Sequence, residues 1–157
     1  MKVETMGGDH FKFEVDFIEP NIRCIPMIVR FKLDASGIKL KLAEWSRLTT
    51  DERTHLAVAS CETHAEVALF REELHRLIFA RTGTAATDIP VQANPVWSRT
   101  DEIPYTIQEK LADTDHELSL EQWQGLTNLQ RFALVKLSYP GHENKNFPMA
   151  MAEFGLV

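Results

Sequence analysis

The stretch IPMIVRFKLDASGIKLKLAEWSRLTTDERTHLAVAS, residues 25–60, decides the fold because it recurs 78 residues later in the same chain. Residues 103–138 read IPYTIQEKLADTDHELSLEQWQGLTNLQRFALVKLS, and the two stretches align without a gap. Extended to residue 64, the comparison contains 13 identities in 40 positions, far more than unrelated segments of this composition share. We therefore expect an internal duplication that builds two similar, pseudo-symmetric units. The identical positions are Ile25, Pro26, Lys32, Leu33, Leu40, Leu42, Trp45, Leu48, Thr49, Arg53, Leu56, Ser60 and His64, the last of which recurs as His142.

Each unit is predicted to consist of helices joined by short turns, so the expected fold class is mainly α. Pro26 and Pro104 suit the first position of a helix, where the missing N–H is not needed. Gly37 can end the first of these helices, because glycine readily adopts the left-handed conformation of a C-cap. Thr49 and Thr127 each begin the pattern S/T-x-x-E/Q, which caps a further helix in each unit.

A long amphipathic helix is expected to follow Thr63, which opens another such capping pattern, and to stop at Gly83. The proline-containing stretch after it predicts a mostly extended connection. We therefore expect a single domain with a first unit at about 10–82, a connection at 83–103 and a second unit at 104–157.

Residues 11–17 alternate between apolar and charged side chains, and this period of two predicts a half-buried strand. Residues 89–93 alternate more weakly. We predict that the two segments pair as a short two-stranded ribbon about the pseudo-twofold axis.

Composition and charge exclude several classes of protein. The chain has 157 residues, enough for one domain with a core of its own. Its net charge of −6 disfavours nucleic-acid binding, and no apolar run approaches the roughly 20 residues that cross a bilayer. The first residues lack the apolar centre of a signal peptide, and the chain has two cysteines, so we expect a cytoplasmic protein with reduced thiols.

Cys61 and His64 have a spacing that could place two metal ligands on one helical face. A structural zinc site needs about four ligands, and no second pair accompanies them, so we expect no metal and no other cofactor. The alternative is a buried thiol beside a polar histidine. Recurrence of His64 as His142 favours a structural role for both. The chain also lacks the G-x-S-x-G, H-E-x-x-H and phosphate-loop motifs of common enzymes.

Five residues are candidates for contact with a partner protein. Trp45 and Trp123 recur and are therefore expected in the core, whereas Trp97 stands outside the repeated pattern, near Arg99. Arg23 and Cys24 do not recur, and a guanidinium next to a thiol before a helix would favour the thiolate; a packed, unreactive thiol is the alternative. Arg30 belongs with Arg23 to a basic patch, for which a solvated helix face is the alternative.

The runs FKFEVDFIEPNIRCIPMIVRFKLDASGIKLKLAEWSRLTTDER, LTNLQRFALVKLS and HENKNFPMAMAEFGL resemble the nitrate reductase-associated protein family, best known from cyanobacteria. The resemblance covers nearly the whole chain from Phe11 onward, and RCIPM with VRFKLD is its most specific part.

The resemblance implies a small cytoplasmic, non-catalytic accessory protein that assists the maturation or assembly of assimilatory nitrate reductase, its partner. Two alternatives stay open. A protein that handles the molybdenum cofactor or a metal would need a basic pocket or further thiolates, and a small enzyme would need a pocket of perturbed titratable groups. The oligomeric state is left open by the sequence.

Overall fold

Most of the chain is helical, which confirms the mainly α fold class. The structure is a computed structural model that describes residues 10–139 and 145–157. Two two-residue strands, β1 (Ile38–Lys39) and β2 (Thr87–Asp88), pair antiparallel, and short 3₁₀ turns lie at Lys12–Glu14 and Val96–Ser98. The helices in the described residues are α1 (Val15–Ile18), α2 (Met27–Ser36), α3 (Leu42–Arg47), α4 (Thr50–Val58), α5 (His64–Thr82), α6 (Tyr105–Ala112), α7 (Leu120–Gly125), α8 (Asn128–Ser138) and α9 (Asn146–Glu153).

The chain divides into two compact units, Met1–Gln92 and Ala93–Val157. The dividing point lies within the connection expected at 83–103. The assignment of both units to a single domain stays a prediction.

Helix α5 lies at the centre of the first unit, where α2 and α3 pack against it and α2 also contacts α4 and β1. The Thr63 hydroxyl accepts the N–H of Glu66 at 3.1 Å, and Gly83 ends the helix with a φ of +77°. Both predicted ends of this helix are therefore confirmed. The side chains that form the buried core of this unit include Ile18, Ile25, Val29, Leu33, Trp45, Leu56, Phe70, Leu74, Leu77 and Ile78.

Helix α8 lies at the centre of the second unit, in contact with the Val96–Ser98 turn, α6 and α9. It begins with the predicted capping box, in which the Thr127 hydroxyl accepts the N–H of Gln130 at 3.1 Å. The largest fully buried side chains of this unit are Trp123, Phe132, Phe147, Ile107 and Leu134.

Three pairs of helices begin at residue numbers that differ by 78, namely α2 and α6, α3 and α7, and α4 and α8. This correspondence agrees with the expected duplication, although common origin itself stays a prediction. Pro26 and Pro104 are the N-cap residues of α2 and α6, so each helix begins one residue later than predicted. The extended ψ of Pro26, 158°, leaves the first helical N–H on Met27, which a side chain from elsewhere in the chain can then cap.

The predicted strand at residues 11–17 is wrong, because this segment forms the Lys12–Glu14 turn and then α1. The side chain of Glu14, which the alternation assigned to the polar face, is buried, and its carboxylate accepts the N–H of Phe11 at 2.9 Å. The same carboxylate accepts the N–H of Met27 at 2.8 Å. These two hydrogen bonds hold the segment in a turn whose glutamate side chain lies at the start of α2. The predicted pairing with residues 89–93 is also wrong, since the two-stranded ribbon is formed by β1 and β2.

Candidate functional site

The candidate partner-contact residues lie mainly on two short segments, each of which precedes a helix with a proline N-cap. Residues 19–26 of the first unit carry Arg23 and Cys24, and residues 95–104 of the second carry Trp97 and Arg99. We call these the anchored segments, because a tryptophan and an arginine of the same unit hold the backbone of each one.

In the first unit the anchors are Trp45 and Arg53. The ring N–H of Trp45 donates to the carbonyl oxygen of Ile22 at 2.8 Å, and this tryptophan is fully buried. The Arg53 guanidinium donates to the carbonyl of Asn21 at 2.7 Å and, from its other terminal nitrogen, to that of Leu48 at 2.9 Å. The segment is thereby joined to both α3 and α4.

In the second unit the anchors are Trp123 and Arg131, which stand 78 positions after the first pair. The ring N–H of Trp123 donates to the carbonyl of Arg99 at 2.9 Å, and Nε of Arg131 donates to that of Trp97 at 2.9 Å. Core burial of both repeated tryptophans was predicted and is confirmed. The hydrogen bonds were not predicted, although recurrence of the Trp and Arg positions was a visible signal.

The first anchored segment contains backbone strain. Asn21 has a φ of +62° and Ile22 a φ of +52°. Asparagine tolerates this left-handed region, but a β-branched residue there costs about 1–2 kcal/mol because its Cβ crowds the following carbonyl. Ile22 is buried and its carbonyl is bonded to Trp45, so packing and hydrogen bonding maintain the conformation. Strain of this kind is concentrated at functional segments.

Arg23 and Cys24 follow directly after the strained residues. The Arg23 guanidinium donates from Nε to the carbonyl of Glu19 at 2.8 Å and from Nη2 to that of Asp16, so the side chain closes over the end of α1 while staying exposed. Cys24 is half-buried and packs against the core of the first unit. The packing alternative for this thiol thus has a structural basis, and its reactivity stays a prediction.

Arg30 lies one turn into α2 and donates from Nε to the carbonyl of Ile25 at 3.1 Å. It is close enough to Glu14 and Cys24 to interact electrostatically with both. Burial raises the pKa of the Glu14 carboxyl, and the two backbone N–H groups that it accepts offset part of this rise. The structure therefore places Arg30 near Cys24 and also near a buried acid, Glu14, that sequence periodicity had assigned to the surface.

Trp97 and Arg99 lie in and beside the Val96–Ser98 turn. Trp97 is half-buried, with its ring edge against Phe132 at a centroid distance of 6.4 Å, and Arg99 is exposed. An aromatic side chain that is partly exposed and fixed on one edge can serve as a partner contact.

Among the described residues, Cys61 and His64 do not converge with further metal ligands. Cys61 is half-buried, and burial raises the pKa of its thiol, an effect that the nearby Lys32 ammonium partly offsets. His64 is exposed at the first position of α5. Across residues 10–139 and 145–157 the structure contains no group of three His, Cys, Asp or Glu side chains that could hold a metal ion. His142, the expected counterpart of His64, lies outside the described residues.

The fold and the anchored segments define a class of small, mainly helical protein in which repeated Trp and Arg positions hold the backbone of the segments that precede two of the helices. None of the helices in the described residues has the length and apolar character needed to span a membrane. The chain belongs to the conserved nitrate reductase-associated protein family, whose model matches residues 10–154. Comparison with curated proteins and with solved structures found no match.

Proposed function

We propose that the protein is a cytoplasmic, non-catalytic accessory protein that assists maturation or assembly of assimilatory nitrate reductase through protein–protein contact. Family membership supports the association with the reductase. The single observation that supports direct contact is the pair of anchored segments, whose backbones are fixed by Trp45 and Arg53 in one unit and by Trp123 and Arg131 in the other.

A fixed backbone favours binding because less conformational entropy is lost when a partner docks. The side chains on or beside the two segments are also of suitable types, since Arg and Trp are enriched among residues that dominate protein interfaces. Arg23, Arg30 and Arg99 are exposed cations on a chain of net charge −6. An acidic patch on the partner would be attracted to any one of these positions and repelled by the acidic parts of the surface.

In this proposal the accessory protein holds the apo-reductase in a conformation open to cofactor insertion and dissociates afterwards. Binding can shift the reductase toward an open state only if the open state is bound more tightly than the closed state. An exposed side chain such as Arg23 or Arg99 that contacts the partner only in its open state would provide this difference in affinity.

Affinity capture of the tagged chain from nitrate-grown cells tests the proposal. We expect the reductase or its cofactor-insertion proteins to co-purify with the wild-type chain, and their absence would overturn the accessory function. Metal and absorbance analysis of the purified chain checks the metal-handling alternative.

Arg99→Glu tests the assigned surface, because it reverses an exposed charge and leaves intact the backbone carbonyl that Trp123 holds. Arg47→Glu is the matched control, since Arg47 is an exposed arginine on α3. We expect capture to fall at least about tenfold for Arg99→Glu, equivalent to loss of one interface contact of about 1.4 kcal/mol, and to persist for Arg47→Glu. Equal losses in both variants would contradict the assignment of the segment. Cys24→Ser separates a reactive thiol, for which capture or reductase activation is lost, from a packed one.

A further inference from the structure

One face of helix α5 is exposed along the whole length of the helix. The opposite face carries Phe70, Leu74, Leu77 and Ile78 and is buried in the core of the first unit. With 19 residues the helix is about 28 Å long, and it is capped at both ends, so the exposed face is a rigid surface. We call this the outer face; its members are Ala65, Ala68, Leu69, Glu72, Arg76, Phe79 and Ala80, with Gly83 at the C-cap.

The outer face contains two large exposed apolar side chains. Leu69 is 66 % exposed and Phe79 is 61 % exposed, and the alanines beside them, Ala68 and Ala80, are exposed as well. A helix that is apolar on both its buried and its outer side commonly has a further packing partner.

The order of residues on this face is symmetric about position 74. Each outer-face residue has a mate at the same distance on the other side of position 74, so that Leu69 matches Phe79 and Glu72 matches Arg76. The small residues match in the same way, since Ala68 corresponds to Ala80. When two antiparallel helices are related by a twofold axis at this level, each residue meets its mate on the other copy.

Self-pairing in this register sets opposite charges against each other and apolar side chains against apolar side chains. Glu72 of each copy would face Arg76 of the other, which gives two equivalent ion pairs at the centre of the contact. Leu69 would face Phe79 at both ends. The alanine pairs would let the two helix axes approach closely, as small residues do at helix contacts.

Arg76 already lies near Glu73 of its own helix, but this contact does not prevent it from pairing with Glu72 of a second copy. Nη2 of Arg76 lies 3.7 Å from Oε2 of Glu73, and the Arg76 side chain is 67 % exposed. An ion pair of that length and exposure is weak, so Arg76 can turn toward a carboxylate of a second copy.

We propose that the outer face of α5 is a homodimer interface that takes a second copy of this chain in an antiparallel, twofold-symmetric contact centred on the Glu72 and Arg76 pairs. Stable interfaces bury about 800 Å² on each partner, and a seam between two single helices lies at the low end of interface size. The dimer is therefore weak, dependent on concentration, and weakened further by salt, because its central pairs lie near solvent.

Charge reversal tests this contact. Sedimentation equilibrium of the wild-type chain at low salt is expected to show a monomer–dimer equilibrium. Glu72→Arg alone sets the introduced guanidinium against Arg76 at both central positions, and Arg76→Glu alone sets two carboxylates together. Each single variant should weaken dimerisation at least about tenfold, whereas Arg47→Glu, the charge control outside this helix, should leave it unchanged.

Variants that should restore dimerisation distinguish the proposed pairing of Glu72 with Arg76 from a general effect of charge. The double variant Glu72→Arg with Arg76→Glu should recover the wild-type dimer. An equimolar mixture of the two single variants should form a heterodimer, although neither variant pairs with itself. Far-UV circular dichroism confirms that each variant is folded.

Three results would overturn the proposal. The first is a wild-type chain that stays monomeric up to about millimolar concentration, where even weak interfaces associate. The second is a dimer that neither single reversal weakens. The third is a mixture of the two single variants that contains no heterodimer. None of these results bears on the reductase association, which affinity capture tests separately.

Discussion

Replacing the repeated tryptophans one at a time, as Trp45→Phe and Trp123→Phe, measures how strongly each anchored segment is held. Both rings are 0 % exposed, so the loss of buried area and the cavity left behind should be similar in the two variants, at about 1–2 kcal/mol each. The two variants differ in the acceptor that loses its N–H donor. The Trp45 bond reaches the carbonyl of Ile22, a buried residue in a strained conformation, whereas the Trp123 bond reaches the carbonyl of an exposed residue, Arg99.

A buried carbonyl that loses its main donor costs about 1–3 kcal/mol, and the Ile22 carbonyl would keep only the longer bond from Nη1 of Arg53, at 3.3 Å. A carbonyl that water can reach costs much less. We therefore expect Trp45→Phe to lower the free energy of unfolding by about 3 kcal/mol and Trp123→Phe by about 2 kcal/mol. Urea denaturation followed by circular dichroism at 222 nm gives both values without relying on tryptophan fluorescence.

The same experiment has a local readout. The N–H of Arg23 donates to the carbonyl of Ile18 at 2.8 Å, so the hydrogen exchange of this amide reports on the folding of the first anchored segment. Once Trp45 no longer holds Ile22, its strained backbone can relax, so hydrogen exchange of the Arg23 amide should accelerate in Trp45→Phe more than global destabilisation requires. Equal stability losses in the two variants, together with unchanged local protection of Arg23, would refute the anchoring role of the ring N–H.

Three further predictions concern single positions. Gly37→Ala should lower the free energy of unfolding by about 2–4 kcal/mol, because Gly37 has a φ of +73° and an added Cβ would lie 2.9 Å from the carbonyl oxygen of Ile89. Gly83 has a φ of +77° but open space around it, so Gly83→Ala should lower the free energy of unfolding by only about 1 kcal/mol. Equal melting temperatures of the two variants would contradict this difference. Burial raises the pKa of Glu14 in the folded state, so the contribution of this residue to stability is fully present below the unfolded pKa and is lost as pH rises through the folded pKa. The stability of wild type relative to Glu14→Gln should therefore fall as pH rises above 4.5. A stability difference that does not depend on pH would exclude this effect of the Glu14 carboxyl. Lys32→Met removes a buried ammonium that donates to two carbonyls at the end of α4, at 2.7 and 3.2 Å. We expect this change to lower the free energy of unfolding, measured with urea, by about 1–3 kcal/mol. A gain in stability would show that the desolvation penalty of the charge outweighs its hydrogen bonds.

Signals that act within a few residues allowed much of the fold to be predicted from sequence. Thr49, Thr63 and Thr127 cap helices because the partner of each hydroxyl is an N–H three residues later. Gly37 and Gly83 end helices because each needs only its own positive φ. These local interactions make the element pattern readable without knowledge of the tertiary fold.

Glu14 shows why the N-terminal segment was predicted wrongly. Its carboxylate caps α2 through the N–H of Met27, 13 residues away, and periodicity treats any glutamate as a surface residue. The hydrogen bond to a distant backbone donor stabilises a buried acid and converts an apparent strand into a turn and a short helix. Such a contact depends on the folded arrangement of the chain and leaves no pattern of spacing.

The anchored segments lie between these two cases. Recurrence of the Trp and Arg positions was visible in the sequence, and packing was the correct explanation for the tryptophan rings. Their hydrogen-bond acceptors are backbone carbonyls, however, which every residue has, so no residue type marks the segment that is held. Distant backbone acceptors therefore escape sequence reasoning even where the donors recur.

Differences in partner binding between the two units are expected at positions other than the anchors, because the anchors are the same residue types in both units. Arg53 and Arg131 direct their guanidinium groups at carbonyls of their own units, so these cations serve the fold and contribute little to the surface. Arg23 also donates to carbonyls of its own unit, those of Glu19 and Asp16, but its side chain stays exposed. Position 23 is arginine where the second unit has Asp101. A shared pair of anchors can therefore present opposite charges at corresponding positions. We expect Arg23→Asp and Asp101→Arg to alter partner capture in opposite directions, because an acidic partner surface loses attraction in the first variant and loses repulsion in the second. Changes in the same direction for both variants would show that this position acts through folding and not through recognition.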